Sequence, residues 1–120
     1  MSKRNIVHVE IPSENVDAAA KFYESLFGWK ITPIPNMNYT MWEDGSGSGG
    51  GFPKVSAENP AGQVLVYIDS EDIEADLKKA EELGGTVIQP KTEIPQMGWY
   101  GVFKDPSGNV LAIYTSMDPQ

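Results

Sequence analysis

Residues 6–11 alternate. Val7, Val9 and Ile11 fall on one side, and Ile6, His8 and Glu10 on the other. That period of two predicts a strand with one packed face and one open face. At Val16 the period changes. Val16, Ala19, Ala20, Tyr23, Leu26 and Phe27 recur at helical spacing and form one stripe. Asn15 is the best-placed N-cap in the run Ser13-Glu14-Asn15, and Gly28 supplies a C-terminal stop. Residues 29–32 read as a second strand, closed by Pro33 and Pro35, and residues 39–43 as a third. A glycine-rich stretch follows, from Gly45 to Gly51.

The second half repeats this grammar. Residues 64–68 form a strand, and residues 70–72 a cap region. Ile73, Leu77, Ala80 and Leu83 form a helical stripe that Gly84-Gly85 ends. Residues 86–89 form a strand closed by Pro90. Residues 99–104 form another, and Asp105-Pro106-Ser107-Gly108 turns the chain into a last strand at 110–115. An offset of 57 superposes Ile11 on Ile68, Ser13 on Ser70, Glu14 on Glu71, Leu26 on Leu83, Gly28 on Gly85, Ile31 on Ile88 and Pro33 on Pro90. Beyond a longer loop the offset becomes 61, which pairs Tyr39 with Tyr100 and Asp44 with Asp105. The expected fold is α+β: a single domain of two βαβββ modules, about 5–56 and about 62–117. Together they would form an eight-stranded curved sheet, a cup with two outer helices, and the ligand would sit in the cup.

Composition narrows the function. The 120-residue chain carries a net charge of −8, which disfavours nucleic acid and anionic membranes. It has no cysteine, so disulfides, thiolate metal sites and a cysteine nucleophile are excluded. No apolar run approaches the roughly 18 residues of a membrane span. The opening Met1-Ser2-Lys3-Arg4-Asn5 lacks the apolar core of a signal peptide, so a cytoplasmic location is expected. Gly45, Gly47 and Gly50 spell a formal G-x-G-x-x-G, but Phe52-Pro53 follows where a phosphate cradle needs a helix. A hairpin loop or a flap over the cup is the expectation there.

Two motifs point to a family. His8-Val9-Glu10-Ile11-Pro12, followed by Ala20-Lys21-Phe22-Tyr23 and Leu26-Phe27-Gly28-Trp29, resembles the first module of the vicinal oxygen chelate superfamily, the glyoxalase I, bleomycin-resistance and extradiol dioxygenase group. Asp105-Pro106-Ser107-Gly108-Asn109 is similar to the turn before that family's final strand. The resemblance implies a homodimer. It also implies up to four metal ligands, one on the first strand and one on the last strand of each module. Mapped by the two offsets, those positions are His8, Gly51, Leu65 and Ala112. Only His8 can ligate, and Glu10 adds a carboxylate from the same strand face.

The reading that follows is a metal-independent small-molecule binder without a cofactor. Its ligand is small and partly apolar. His8, Glu10, Tyr39, Trp42, Tyr67 and Trp99 are the expected contacts, with His8 and Glu10 the candidate acid–base pair. One alternative is a metal-dependent enzyme, a lactoylglutathione lyase-like lyase or a dioxygenase, using Zn, Ni, Fe or Mn. Another is a dimerising accessory domain with a vestigial site.

Overall fold

Asn15 and Asp72 start the two helices in the same way. Each side chain accepts the backbone N–H three residues on, Ala18 and Ala75 respectively, both at 3.0 Å. The computed structural model that shows this describes residues 4–117. The expected absence of a signal peptide rests partly on residues 1–3, which lie outside the described residues.

The chain divides into two units. One is residues 7–65; the other is the described residues through Ile6 together with those from Val66 onward. The N-terminal unit contains all of β1 (Ile6–Glu10) but its first residue, then α1 (Val16–Phe27), β2 (Lys30–Ile34), β3 (Tyr39–Glu43) and β4 (Gly49–Gly51), with strand order β2-β3-β4-β1. The C-terminal unit contains all of β5 (Leu65–Asp69) but its first residue, then α2 (Ile73–Glu82), β6 (Thr86–Ile94), β7 (Gly98–Lys104) and β8 (Val110–Ser116), in the order β5-β8-β7-β6. Both are βαβββ, and the class is α+β.

The two offsets hold at the level of strand register. Parallel β1 and β4 place Glu10 beside Gly51, and parallel β5 and β8 place Tyr67 beside Ala112. Antiparallel β3 and β4 set Met41 against Gly51; β7 and β8 set Val102 against Ala112. The turns match as well. Asp44 Oδ1 accepts from the backbone N–H groups of Ser46 and Ser48, and Asp105 Oδ1 accepts from those of Ser107 and Asn109. Gly47 and Gly108, at φ +103° and +95°, fill the same left-handed position. The glycine-rich stretch is therefore a pinned hairpin turn leading into β4, and the flap expectation gives way.

In each unit the strands bury one face under the helix. Ala20, Trp42 and Phe52 form one core, with Val9, Ile11, Val16, Ala19, Tyr23, Trp29 and Ile31 packed around it. Ile73, Leu77 and Ile113 form the other, with Ile68, Val87, Trp99 and Phe103. The helical stripes end sooner than their spacing predicts. Leu26 and Phe27 stay exposed, as does Leu83, the repeat partner of Leu26.

The paired prolines do not close their strands. β2 runs through Pro33 to Ile34, and β6 runs through Pro90 to Ile94. Both are outer strands of their units, where a missing N–H costs no ladder bond, and in β6 the pairing register also shifts between Gln89 and Thr92.

The residues before α2 are tied down by charge. Arg4 pairs with Asp76, and the Ser70 hydroxyl donates to the same carboxylate oxygen at 2.6 Å. Burial pushes the Asp76 carboxyl up, but hydrogen bonds from Arg4 and Ser70 and the Arg4 charge outweigh it and hold the group below its usual range.

Two outcomes follow. A Cβ at residue 50 would stand 1.7 Å from the Val9 carbonyl oxygen, which belongs to the strand backbone and cannot swing aside. Gly50→Ala should therefore cost about 3 kcal/mol or more in urea unfolding. The backbone N–H of Asn109, its side-chain amide and the Ser107 and Gly108 amides hold Asp105 below its ordinary value of 3.8. A carboxylate depressed in the folded state contributes stability above its unfolded pKa and loses it as pH falls through the folded one. Asp105→Ala should thus lower the melting temperature most at neutral pH, and the gap to the parent should narrow below pH ~4.

Candidate functional site

The open face of the N-terminal unit follows from the strand alternation. Val9 and Ile11 turn towards α1, so His8 and Glu10 turn away from it. Ile31 and Trp42 also face α1, which leaves Lys30, Thr32 and Ile34 of β2 and Tyr39, Met41 and Glu43 of β3 on the side of His8. In register, Ile34 stands opposite Tyr39, Thr32 opposite Met41, and Lys30 opposite Glu43.

Three polar groups converge there. The Tyr39 hydroxyl donates to Glu10 Oε2 at 2.7 Å and lies 2.9 Å from His8 Nε2. His8 Nε2 and Glu10 Oε2 are 3.8 Å apart, so the phenol oxygen bridges them. The side chains of His8 and Glu10 are 24% and 14% exposed, reachable but mostly removed from water. The His8 and Tyr39 rings lie nearly parallel, 23° apart.

Proton counting fixes the polarity of this cluster. A phenol has one proton, and here it goes to Glu10. The contact with His8 is then a hydrogen bond only if the imidazole donates from Nε2. In that arrangement the His8 ring carries a proton on Nε2. The chain of donors runs His8 to Tyr39 to Glu10 and ends on a carboxylate.

Gly51 makes the cluster possible. A Cβ on residue 51 would fall 1.9 Å from the Tyr39 hydroxyl oxygen. The phenol tip thus fills the space a side chain at this position would need. This is one of the four positions at which the family resemblance puts a metal ligand. Of the others, Leu65 is buried and apolar, and Ala112 is fully buried in the C-terminal unit; neither has a donor atom. His8 Nε2 is already in contact with the Tyr39 hydroxyl at 2.9 Å. The side chains present do not fit the four-ligand centre of metal-bearing relatives. Among the described residues no group of three or more His, Cys, Asp and Glu is placed to hold a metal ion.

Of the expected contacts, the structure brings His8, Glu10 and Tyr39 together. Trp42 and Trp99 go elsewhere. Trp42 stacks on Trp29 at 4.1 Å beneath α1, with its buried indole N–H unpartnered. Trp99 packs against the α2 core with Lys91 over its ring at 5.3 Å. Each stands one residue out of phase with the open face of its strand: Trp42 adjoins Met41, and Trp99 adjoins Tyr100. Tyr67 does lie on the face away from α2, since its neighbour Ile68 packs in that core. The pairings Tyr67–Ala112 and Tyr100–Tyr114 add two tyrosines to the same face of the C-terminal unit. Tyr114 donates its hydroxyl to the Met97 carbonyl at 2.9 Å. Alternation from Phe103 and Ile113 would have found both.

Among the described residues no helix is long and apolar enough to cross a membrane. A family model, the Glyoxalase/Bleomycin resistance protein/Dioxygenase superfamily, matches residues 5–113. A glyoxylase-like domain-containing protein of Didymella fabae is 30% identical over 116 residues, covering 89% of this chain and 90% of that protein. A putative glyoxylase of Mycobacterium bovis is 27% identical over 107 residues, 87% of this chain and 41% of its own length. The chain thus spans less than half of that curated relative. A solved superfamily member from Vibrio splendidus shares the fold at a TM-score of 0.69, with 12% identity over 95% of this chain and all of that one. With the repeated βαβββ register and the match across nearly the whole length, the chain belongs to the Glyoxalase/Bleomycin resistance protein/Dioxygenase superfamily.

Proposed function

We propose that this domain binds a small, partly apolar molecule without a metal, through the open face of the N-terminal unit. One observation carries the reading. The Tyr39 hydroxyl bridges His8 and Glu10 over Gly51, so protein atoms occupy the room a ligating side chain would need. The cluster is polar, half-shielded and surrounded on its own face by Ile34, Thr32 and Met41, the mixture a small-molecule site uses to hold and orient a ligand. Register puts Tyr67, Tyr100 and Tyr114 on one face of the C-terminal unit, and such rings can stack on a ligand. His8 and Glu10 are the groups through which any proton transfer would run. Homodimerisation, common in the superfamily, and a cytoplasmic location complete the proposal.

Metal analysis tests the metal-free part. Protein purified without chelators should carry well below one equivalent of Zn, Ni, Fe or Mn. A stoichiometric ion that disappears in His8→Ala would instead favour the lyase or dioxygenase reading.

Variants test the cluster. Tyr39→Phe leaves His8 and Glu10 without their bridge and should cost about 1–2 kcal/mol in chemical unfolding. Gly51→Ala leaves all three polar groups in the chain but evicts the phenol. Any ligand found by a thermal-shift screen should therefore weaken in Gly51→Ala as much as in Tyr39→Phe. Equal binding by parent and Gly51→Ala would count against the site.

A further inference from the structure

We propose that the outer face of α1 is a contact surface for a second copy of this chain, with the two helices antiparallel about a twofold axis. The inference rests on the homodimer of the reading above and gives it a surface.

The first argument is what α1 leaves uncovered. Val16, Ala19, Ala20 and Tyr23 pack in the core. Ala18, Lys21, Phe22, Ser25 and Leu26 line one open hollow on the outer side. Phe22 and Leu26 stand one turn apart and are 58% and 59% exposed. Single exposed apolar side chains are ordinary, whereas adjoining ones mark a surface that meets a partner. The repeat supplies a comparison. At the offset of 57, α2 keeps Ala75, Lys78, Glu81 and Leu83 but has Lys79 and Glu82 where α1 has Phe22 and Ser25. The βαβββ frame therefore does not require an aromatic residue on the outer face of its helix.

The second argument is why the occupant is a copy. At about 3.6 residues per turn, Ala18 and Ser25 run down the middle of this face. Phe22 and Leu26 border it on one side, and the exposed Asp17, Lys21 and Glu24 on the other. A twofold axis sets like side against like side. With the axis between Lys21 and Phe22, Ala18 lies over Ser25 of the second copy, and these small residues let the helices approach closely. Phe22 and Leu26 of both copies then form one apolar seam. Along the other side each Lys21 comes within ~3 Å, measured along the helix, of the level of Glu24 of the second copy. Among the described residues neither Lys21 nor Glu24 forms an ion pair within its own chain. The face thus complements itself in both size and charge. A helix of 12 residues spans only roughly 18 Å, so the contact is small and the dimer weak.

Sedimentation velocity of the whole chain across a concentration series tests this. The parent should pass from monomer to dimer in the micromolar range. Phe22→Glu puts a carboxylate in the apolar seam, and Lys21→Glu leaves six carboxylates along the charged side. Each should raise the dissociation constant at least ~tenfold. Lys21→Glu combined with Glu24→Lys should recover most of the loss. All these side chains are exposed, and circular dichroism checks that the variants fold. A dimer that neither single variant weakens would place the interface elsewhere and leave the homodimer reading standing. Loss without recovery in the charge exchange would overturn the antiparallel arrangement. A parent that stays monomeric at millimolar concentration would overturn both this surface and the homodimer.

Discussion

Tyr39 reaches between His8 and Glu10 only because residue 51 has no side chain. The rest of the candidate site depends on this steric exchange. β4 is three glycines in a row, and each is held there by proximity. A Cβ on Gly49 would stand 2.6 Å from the Trp42 carbonyl oxygen, one on Gly50 would meet the Val9 backbone, and one on Gly51 would meet the Tyr39 phenol. A strand of glycine is weak by propensity. Here it lies between β3 and β1, and pinned turn geometry at Asp44 delivers it there. The local cost in backbone entropy secures a position on the open face that a neighbouring side chain can occupy.

The C-terminal unit shows what the same frame does with different residues. Leu65, Tyr67, Tyr100 and Ala112 stand where the N-terminal unit has His8, Glu10, Tyr39 and Gly51. One residue pair keeps its tyrosine. The imidazole and the carboxylate are gone, and a methyl group sits where Gly51 leaves room. One unit therefore concentrates polar chemistry on its open face, and the other presents tyrosines. The duplication preserves caps, turns and strand register, which the backbone requires, while the open-face side chains have diverged.

Much of this was legible in the sequence because it depends on local rules. The caps at Asn15 and Asp72, the stop at Gly28 and the paired turns at Asp44 and Asp105 are decided within a few residues. The period of two put His8 and Glu10 on the open face. What was not legible depends on partners. Pro33 and Pro90 look like strand breakers until their strands prove to be outer ones. Leu26 and Phe27 match the helical stripe but outrun the sheet that covers it. Trp42 and Trp99 suggested an aromatic wall, yet each lies one residue out of phase and serves a helix core. The bridge by Tyr39 needed both the register of β3 on β4 and the missing side chain at Gly51, and no spacing in the chain reveals that pair.

The polarity of the His8–Tyr39–Glu10 chain can be read directly, because this is the protein's single histidine. Long-range nitrogen–proton correlation NMR of uniformly nitrogen-15-labelled protein at pH 8 distinguishes the two neutral imidazole tautomers. The account predicts one imidazole system with a proton on Nε2. A proton on Nδ1, or a ring nitrogen shifted by a coordinated metal, would contradict it.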